Sequence, residues 1–318
     1  MDKCLLVINP ISGTATKSGL AEKCLRKLRK VGIKVEVLYT EKAGDAHSFA
    51  KMAAARGYMG VIAAGGDGTI NEVASGLIGT ETALGIIPCG SGNGLARHLN
   101  ISMDFSEAID VIARKHIVDC DYCDANGKPF FCTFGIGFDA AVSDRFARQS
   151  HRGLINYVRS AIEEYMKFQP SEYLIEANGK KIKFRAFLIA VCNASQYGNN
   201  AFIAPEASIK DGMMDVTLVH AGTPLTRPLI GVDLFTGLIR NNMISQTMKV
   251  SEIKVKRLEP GPVHLDGEPF VMGEEVLLRC HHGELKIFTT GESHKFRPLI
   301  TPFKYLRREI LGRMRRLR

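Results

Sequence analysis

The 318-residue sequence has no apolar run long enough to cross a bilayer. Its first such stretch, "CLLVI" from Cys4 to Ile8, falls far short of the roughly 20 residues that a membrane helix needs. The charged, apolar and small-residue layout of a secretory leader is missing too, so a cytoplasmic chain is expected. Eight cysteines are present without the spacing of a disulfide framework, which favours reduced thiols. "CDYC" (Cys120, Cys123) has no second C-x-x-C, and residues three apart on a strand face opposite sides. "CHH" (Cys280, His281, His282) adds no ligand spacing, so zinc is not expected. "GTATKS" at 13–18 is not a P-loop, because Thr16 stands where a glycine must precede Lys17. There is no repeat, no low-complexity tract and no basic stripe with interleaved aromatics. Nucleic acid is therefore not an expected partner, although the net charge of +9 favours an anionic one.

What remains is a globular composition, 45% hydrophobic and 24% charged, in a chain long enough for two cores. The first part alternates. "KCLLVIN" reads as a buried strand and "SGLAEKCLRKLRKVG" as an amphipathic helix ended by Gly32. "IKVEVLYT" is a strand, and "DAHSFAKMAAARG" a helix capped by Asp45 and closed by Gly57. "MGVIAA", the helix "TINEVASGL" and the strand "ALGII" continue the rhythm, which implies a parallel sheet covered by helices. Three loops, "NPISG", "AGGDGT" and "PCGSGNG", each follow a strand. They converge on the carboxyl edge where ligands of such sheets sit. From Ile117 onward the chain turns to strands. Asn126-Gly127 and Asn178-Gly179 mark tight hairpins, and "DVTLVHA", "TMKVSEIKVKRL", "VHLDGEPF", "EEVLLRC" and "ELKIFTT" are further strands. The fold expected is α/β: an N-terminal parallel-sheet nucleotide-binding domain over 1–118, and a mostly antiparallel β-sandwich domain over 119–295.

The glycine loop "AAGGDGTINEV" admits two readings. Glycines allow a tight turn into a helix that Thr69 or Asp67 caps. They also let backbone approach an anion closely, with the amides of the next helix pointing at it. On the second reading Gly65, Gly66 and Gly68 cradle phosphates and Thr69 adds a hydroxyl. Asp67 would repel phosphate unless Mg²⁺ lay between them.

"NPISG" at 9–13, "GGDGTINEV" at 65–73, "GSGNGLAR" at 90–97 and "LDGE" at 265–268 together resemble the diacylglycerol kinase catalytic family, which includes bacterial lipid kinases, sphingosine kinases and ceramide kinases. The likeness covers nearly the whole chain. It implies an ATP- and Mg²⁺-dependent transfer of phosphate to a lipid hydroxyl, in an active site between two domains. It implies nucleotide contacts from Asn9, Ser12, Gly13, Thr40, Gly65, Gly66, Asp67, Gly68, Thr69, Glu72, Ser91 and Asn93. Asp266 is implied as general base, with Glu268 as supporting acid or alternative base, although Asp-Gly between alternating apolar residues is also an ordinary hairpin turn. "ASIKDGMMDV" at 207–216 is similar to a family magnesium site. That site, beside the lipid-binding domain, would use the Asp211 carboxylate with the Ser208 and Met213 carbonyls, although Asp211-Gly212 is also a plain hairpin; it is separate from the metal-facing Asp67.

The last segment, "FKYLRREILGRMRRLR", reads as a basic helix packing back on the first domain through 296–318. Phe303, Leu306, Ile310, Met314 and Leu317 make an apolar stripe. Arg307, Arg308, Arg313, Arg315, Arg316 and Arg318 crowd the rest, which suits peripheral contact with an anionic inner-membrane face. "FGIGFDAAVSDRF" and the helix from Gly153 to Phe168 are candidate linings for lipid chains. Two other readings stay open: a soluble kinase of the same superfamily acting on NAD or a sugar phosphate, and a non-catalytic lipid-binding regulatory protein. "GSGN" leans towards sphingoid lipids and "GFDAAV" against them, so the lipid is undecided between diacylglycerol, a sphingoid base or ceramide, and another glycerolipid.

Overall fold

A computed structural model describes residues 2–12, 19–147, 163–165, 167–223, 226–291 and 296–307. The chain forms two compact units. The first comprises Met1–Cys120, Gly283–Lys295 and Lys304–Arg318; the second comprises Asp121–His282 and Phe296–Phe303.

In the first unit the strand–helix alternation is realised in order. Strands β1 (Lys3–Ile8), β2 (Lys34–Tyr39), β3 (Gly60–Gly65) and β4 (Ala83–Pro88) run parallel in the order β2-β1-β3-β4, with Leu6 paired to both Val37 and Ile62. β3 and β4 are buried at every position, as continuous apolar runs covered on both faces must be. Helix α1 (Leu20–Lys30) buries Leu20, Cys24 and Leu28, one side chain per turn on a single face. Helices α2 (Asp45–Ala55) and α3 (Asp67–Leu77) pack closely. A Cβ on Gly76 would come within 2.7 Å of the His47 carbonyl and 2.8 Å of Ala50 Cβ. Short α4 (Gly94–His98) and α5 (Phe105–Ala113) follow β4, and Asp104 caps α5 by accepting the Ser106 and Glu107 amides. Asp45 is not the cap of α2. Gly44, at φ 88°, takes that place, while the Asp45 carboxylate folds back to the amides of Glu41 and Lys42 at 2.8 and 2.9 Å.

The second unit is antiparallel and sandwich-like. Its strands include β6 (Lys128–Phe130), β7 (Thr133–Gly137), β8 (Ser171–Ala177), β9 (Lys180–Cys192), β10 (Met214–His220), β11 (Ser245–Val250), β12 (Glu252–Lys256), β13 (Gly261–Leu265) and β14 (Glu268–Met272). The chain enters this unit within β5 (Ile117–Ala125) and leaves it within β15 (Glu275–Phe288). The order β14-β13-β7-β9-β8-β12-β15 buries Phe130, Phe134, Ile136, Ile189, Val191, Val263 and Leu278 in one apolar core. Helices α6 (Phe138–Ala147) and α7 (Arg227–Thr236) also belong to this unit.

Three hairpins turn on the same chemistry. Asn126-Gly127 has φ 50° and 79°, Asn178-Gly179 has 50° and 71°, and Asp266-Gly267 has 51° and 84°. Two successive positive φ values match the right-handed strand twist, which is why Asn-Gly and Asp-Gly stand there. "EEVLLRC" and "ELKIFTT", expected as two strands, are one fourteen-residue strand, β15; Gly283 at φ 70° lets it continue through the polar middle.

At the other end, residues 300–307 are helical, but the expected apolar stripe is not their buried face. Phe303 and Leu306 are 69% and 51% exposed, whereas Pro302 is buried and the Tyr305 hydroxyl donates to Asn100 Oδ1. Ile310, Met314, Leu317 and the arginines from 308 onward lie outside the described residues, as does most of the helix expected from Gly153 to Phe168. Residues 296–303 belong with the second unit, where Phe296 packs on Phe202 and fills the space beside Gly237.

Candidate active site

The loops after β1, β3 and β4 come together in the first unit. One backbone bond prolongs the sheet after each of β1, β2 and β4: Asn9 donates to the Ala64 carbonyl at 3.1 Å, Thr40 to Ile8 at 3.0 Å, and Cys89 to Gly65 at 2.7 Å. Side chains then tie loop to loop. Asn9 Nδ2 donates to Thr69 Oγ1 at 3.1 Å, joining the first loop to the second. The Asn9 Oδ1 atom accepts the Ile11 amide, and the Ser12 hydroxyl donates to the Asn9 carbonyl at 3.2 Å. Gly13 lies outside the described residues.

Glycine is required where the second and third loops meet. A Cβ on Gly90 would lie 2.8 Å from Gly66 Cα, and one on Gly92 would lie 2.8 Å from Asp67 Oδ2. The first is a backbone neighbour that cannot rotate away. Asp67 closes this junction. Its Oδ2 accepts the Asn93 amide and its Oδ1 the Gly94 amide, both at 2.8 Å. It thus caps α4, the helix of the next loop. Burial raises the Asp67 carboxyl pKa, while the two amide donors oppose the rise. Asn93, at φ 52°, holds the third loop from inside. Its side chain accepts the Gly90 amide at 3.1 Å and donates to the Gly90 carbonyl at 2.6 Å. Ser91 is exposed at the tip of that loop, and Thr40 is buried at the end of β2.

Two charged residues carry supporting roles. Arg97 is buried and donates from Nε to the Gly92 carbonyl at 2.8 Å, a contact its place in "GSGNGLAR" did not announce. Glu72 is turned away from the glycine loops: its two oxygens accept the Gly44 and Ala46 amides at 3.0 and 3.2 Å, at the positive end of α2. The first helical bond of α3 runs from the Ile70 amide to the Gly66 carbonyl at 3.1 Å. The Gly68 and Thr69 amides precede it and have no partner within the helix, the arrangement that receives phosphate.

The acids of the second unit have different surroundings. Asp266 is the first residue of its turn, and its carboxylate accepts three successive amides: Phe131 at 2.8, Cys132 at 2.7 and Thr133 at 2.8 Å. Its own amide donates to the Thr133 carbonyl at 2.8 Å. Glu268 is exposed at the first position of β14.

Around the expected magnesium site, Ser208 Oγ accepts the Lys210 amide and Asp211 Oδ1 accepts the Met213 amide at 3.2 Å. Lys249 Nζ stands 2.7 Å from Asp211 Oδ2 and 3.0 Å from Asp215 Oδ2. His281 and His282 pair with Asp124 and Asp121 at 2.7 and 2.8 Å, and His281 stacks on Tyr122. Among the described residues no three His, Cys, Asp or Glu side chains are grouped to hold a metal.

Glycine loops at the carboxyl ends of parallel strands, clamped by one acid and followed by an antiparallel sandwich, define an α/β protein with a second, β-rich unit. Comparison with known proteins narrows the class. Residues 3–125 match the model of the diacylglycerol kinase catalytic domain, and residues 133–289 match that of the YegS C-terminal NAD kinase beta sandwich-like domain. A diacylglycerol kinase of Bacillus subtilis is 30% identical over 288 residues, covering 88% of this chain and 95% of that protein. A Yersinia enterocolitica protein described as "probable lipid kinase YegS-like" is 28% identical over 85% of this chain and 91% of its own. The crystal structure of a diacylglycerol kinase from Bacillus anthracis superposes with a TM-score of 0.73 over 91% of this chain and 97% of that one. At 22% identity, that likeness shows the fold. The chain belongs to the diacylglycerol kinase family of lipid kinases.

Proposed function

We propose that the protein transfers the γ-phosphate of ATP to a lipid hydroxyl, with diacylglycerol as first candidate substrate. The observation that carries this reading is the clamped pair of glycine loops. Gly66 and Gly90 touch backbone to backbone, Asp67 fixes the third loop, and the opening amides of α3 are presented as a phosphate cradle. Phosphoryl transfer asks little covalent chemistry of a protein; positioning and charge stabilisation supply most of the rate. Gly65, Gly66 and Gly68 bring backbone to the phosphates, and the Asn9-held hydroxyl of Thr69 meets a phosphate oxygen. Ser12, Thr40, Ser91 and Asn93 shape the rim.

One carboxylate, Asp67, suits the way Mg²⁺ sits on nucleotide phosphates, keeping most of its waters. Bound there, Mg²⁺ would neutralise charge on the phosphates. Asp211, already paired with Lys249, is the weaker candidate for a second ion. The acceptor hydroxyl is assigned to the Asp266 turn, with Asp266 as base, held in one orientation by its three amides, and Glu268 as the second acid. Diacylglycerol is favoured over sphingoid lipids because the Bacillus subtilis relative carries that activity in its name.

The test is ³²P transfer from labelled ATP to a panel of micellar lipids, NAD and sugar phosphates, with Asp266→Asn and Glu268→Gln in parallel. Label in a glycerolipid that falls about 10²–10⁴-fold in one or both variants supports the reading. Label in NAD or a sugar phosphate places the protein with the soluble kinases. ATP binding without transfer to any acceptor leaves the regulatory reading in its place.

A further inference from the structure

Two residues upstream of Asp266, His264 lies in a polar cluster that the kinase chemistry above does not use. His264 and Asp139 are only 2% and 6% exposed. Nε2 of His264 is 3.2 Å from Asp139 Oδ2, and the Tyr197 hydroxyl donates to the same oxygen at 2.9 Å. Asp139 stands in the first turn of α6, and its Oδ1 accepts the Ala140 amide at 2.9 Å. Gly135 on β7 lies opposite His264 in the register, and a Cβ there would overlap both the carboxylate and the ring. On the far side of the ring, Nδ1 faces the Gly267 amide at 3.4 Å, a long contact onto the second residue of the turn that carries Asp266.

These contacts fix the chemistry of the ring. A carboxylate accepts and does not donate, so Nε2 carries the proton; Nδ1 is then an acceptor, as the Gly267 N–H requires. Both sides of the imidazole call for the same tautomer. The cluster is also costly in a way that packing does not explain. A buried ion-and-hydrogen-bond group is seldom more stabilising than well-packed apolar side chains of its size.

We propose that His264 is a positioning residue for the Asp266–Glu268 turn. Asp139 and Tyr197 hold the ring from one side, and the ring holds the Gly267 amide on the other. The line Tyr197–Asp139–His264–Gly267 thereby sets where the acids of the turn point. His264 acts through the turn and does not itself meet substrate. This inference rests on the kinase reading for its kinetic consequence, though not for its geometry.

The two arms of the test separate these. In protein labelled with ¹⁵N-histidine and ¹⁵N-glycine, the His264 signals are identified by their loss in His264→Gln and the Gly267 amide by its loss in Gly267→Ala. The expected pattern is Nε2 protonated and Nδ1 bare, with the Gly267 amide resonance moving in Asp139→Ala. An Nδ1–H tautomer, or a Gly267 amide indifferent to Asp139, would overturn the proposal whether or not the protein transfers phosphate. In the kinetic arm, His264→Asn places a carboxamide oxygen near the position of Nδ1, whereas His264→Gln reaches towards Asp139 and abandons Gly267. The Gln variant is expected to lose about 10²-fold in kcat, the scale of an ångström-sized misplacement, with KM for ATP unchanged and most of the loss restored in His264→Asn. Equal losses in the two variants, tracking their melting temperatures, would reduce the cluster to a structural one. No transfer by the wild type would overturn the kinase reading and leave the spectra to decide the geometry.

Discussion

Asp67 joins two loops with one carboxylate, and the consequences of changing it can be stated atom by atom. Asparagine at 67 keeps one oxygen for one amide and turns an NH₂ towards the other, so a donor faces a donor at a site now 2.8 Å wide. Leaving a buried amide unpaired costs about 1–3 kcal/mol, so Asp67→Asn should lower the denaturation midpoint and abolish ATP binding by calorimetry together. Retained ATP affinity would mean that the loop is set by glycine packing alone. His98, the last residue of α4, carries a pH dependence. Burial holds its imidazole down to about 4 from the usual 6.5, so the folded chain refuses a proton that the unfolded chain accepts. The associated stability is present in full above pH 6.5 and is lost as pH falls towards 4, a change of about 3 kcal/mol. Urea titrations across that window should show the loss, and His98→Gln should flatten it. At this scale the motifs marked the loops that meet, at Asn9, Gly66 and Asp67, but not the contacts made there. Arg97 reaches back within its own motif to Gly92, Glu72 meets amides at the start of α2, and His264 meets Asp139 across 125 positions of chain, none of which spacing shows.

At the scale of elements, local chemistry carried the most information. Asn-Gly and Asp-Gly between alternating residues located all three tight hairpins, because so few residues tolerate successive positive φ values. Alanine at Gly127 or Gly179 would be forced into that left-handed region, at a cost of about 1–2 kcal/mol, although neither Cβ meets anything within 4 Å. Thermal melts should therefore fall in both variants without loss of cooperativity; an unchanged melt would show that the turn relaxes. β15 was less legible. "CHH" and Gly283 look like a break, yet cross-strand partners hold the chain extended there: Asp124 for His281, Asp121 for His282. The described start of the C-terminal stripe departs from its expectation for a related reason. Helical periodicity names an apolar face, but Pro302 and Tyr305 dock on the neighbouring one and leave Phe303 and Leu306 in solvent.

For the whole molecule, the balance of charge points to an anionic surface. The net charge is +9, and among the described residues no helix is long and apolar enough to cross a membrane. On the proposed reading the acceptor comes from a bilayer, and a net positive charge would draw the chain to an anionic one through screened electrostatics. Flotation with vesicles containing anionic lipid should recover the protein at low salt and release it near 0.5 M salt, roughly where the screening length falls to a few ångströms. Recovery on neutral vesicles, insensitive to salt, would assign the contact to apolar groups. The two-part architecture was legible from the switch between strand–helix alternation and hairpin-rich strands. The assignment of 296–303 to the second unit was not, because it depends on the packing of Phe296 against Phe202 and Gly237. The account is tested most directly by supplying diacylglycerol micelles and Mg²⁺ with ATP labelled at either the γ- or the α-phosphate. Label in phosphatidic acid from the γ-labelled nucleotide alone is the predicted result. No labelled lipid from either nucleotide, in protein shown to bind ATP, would contradict it.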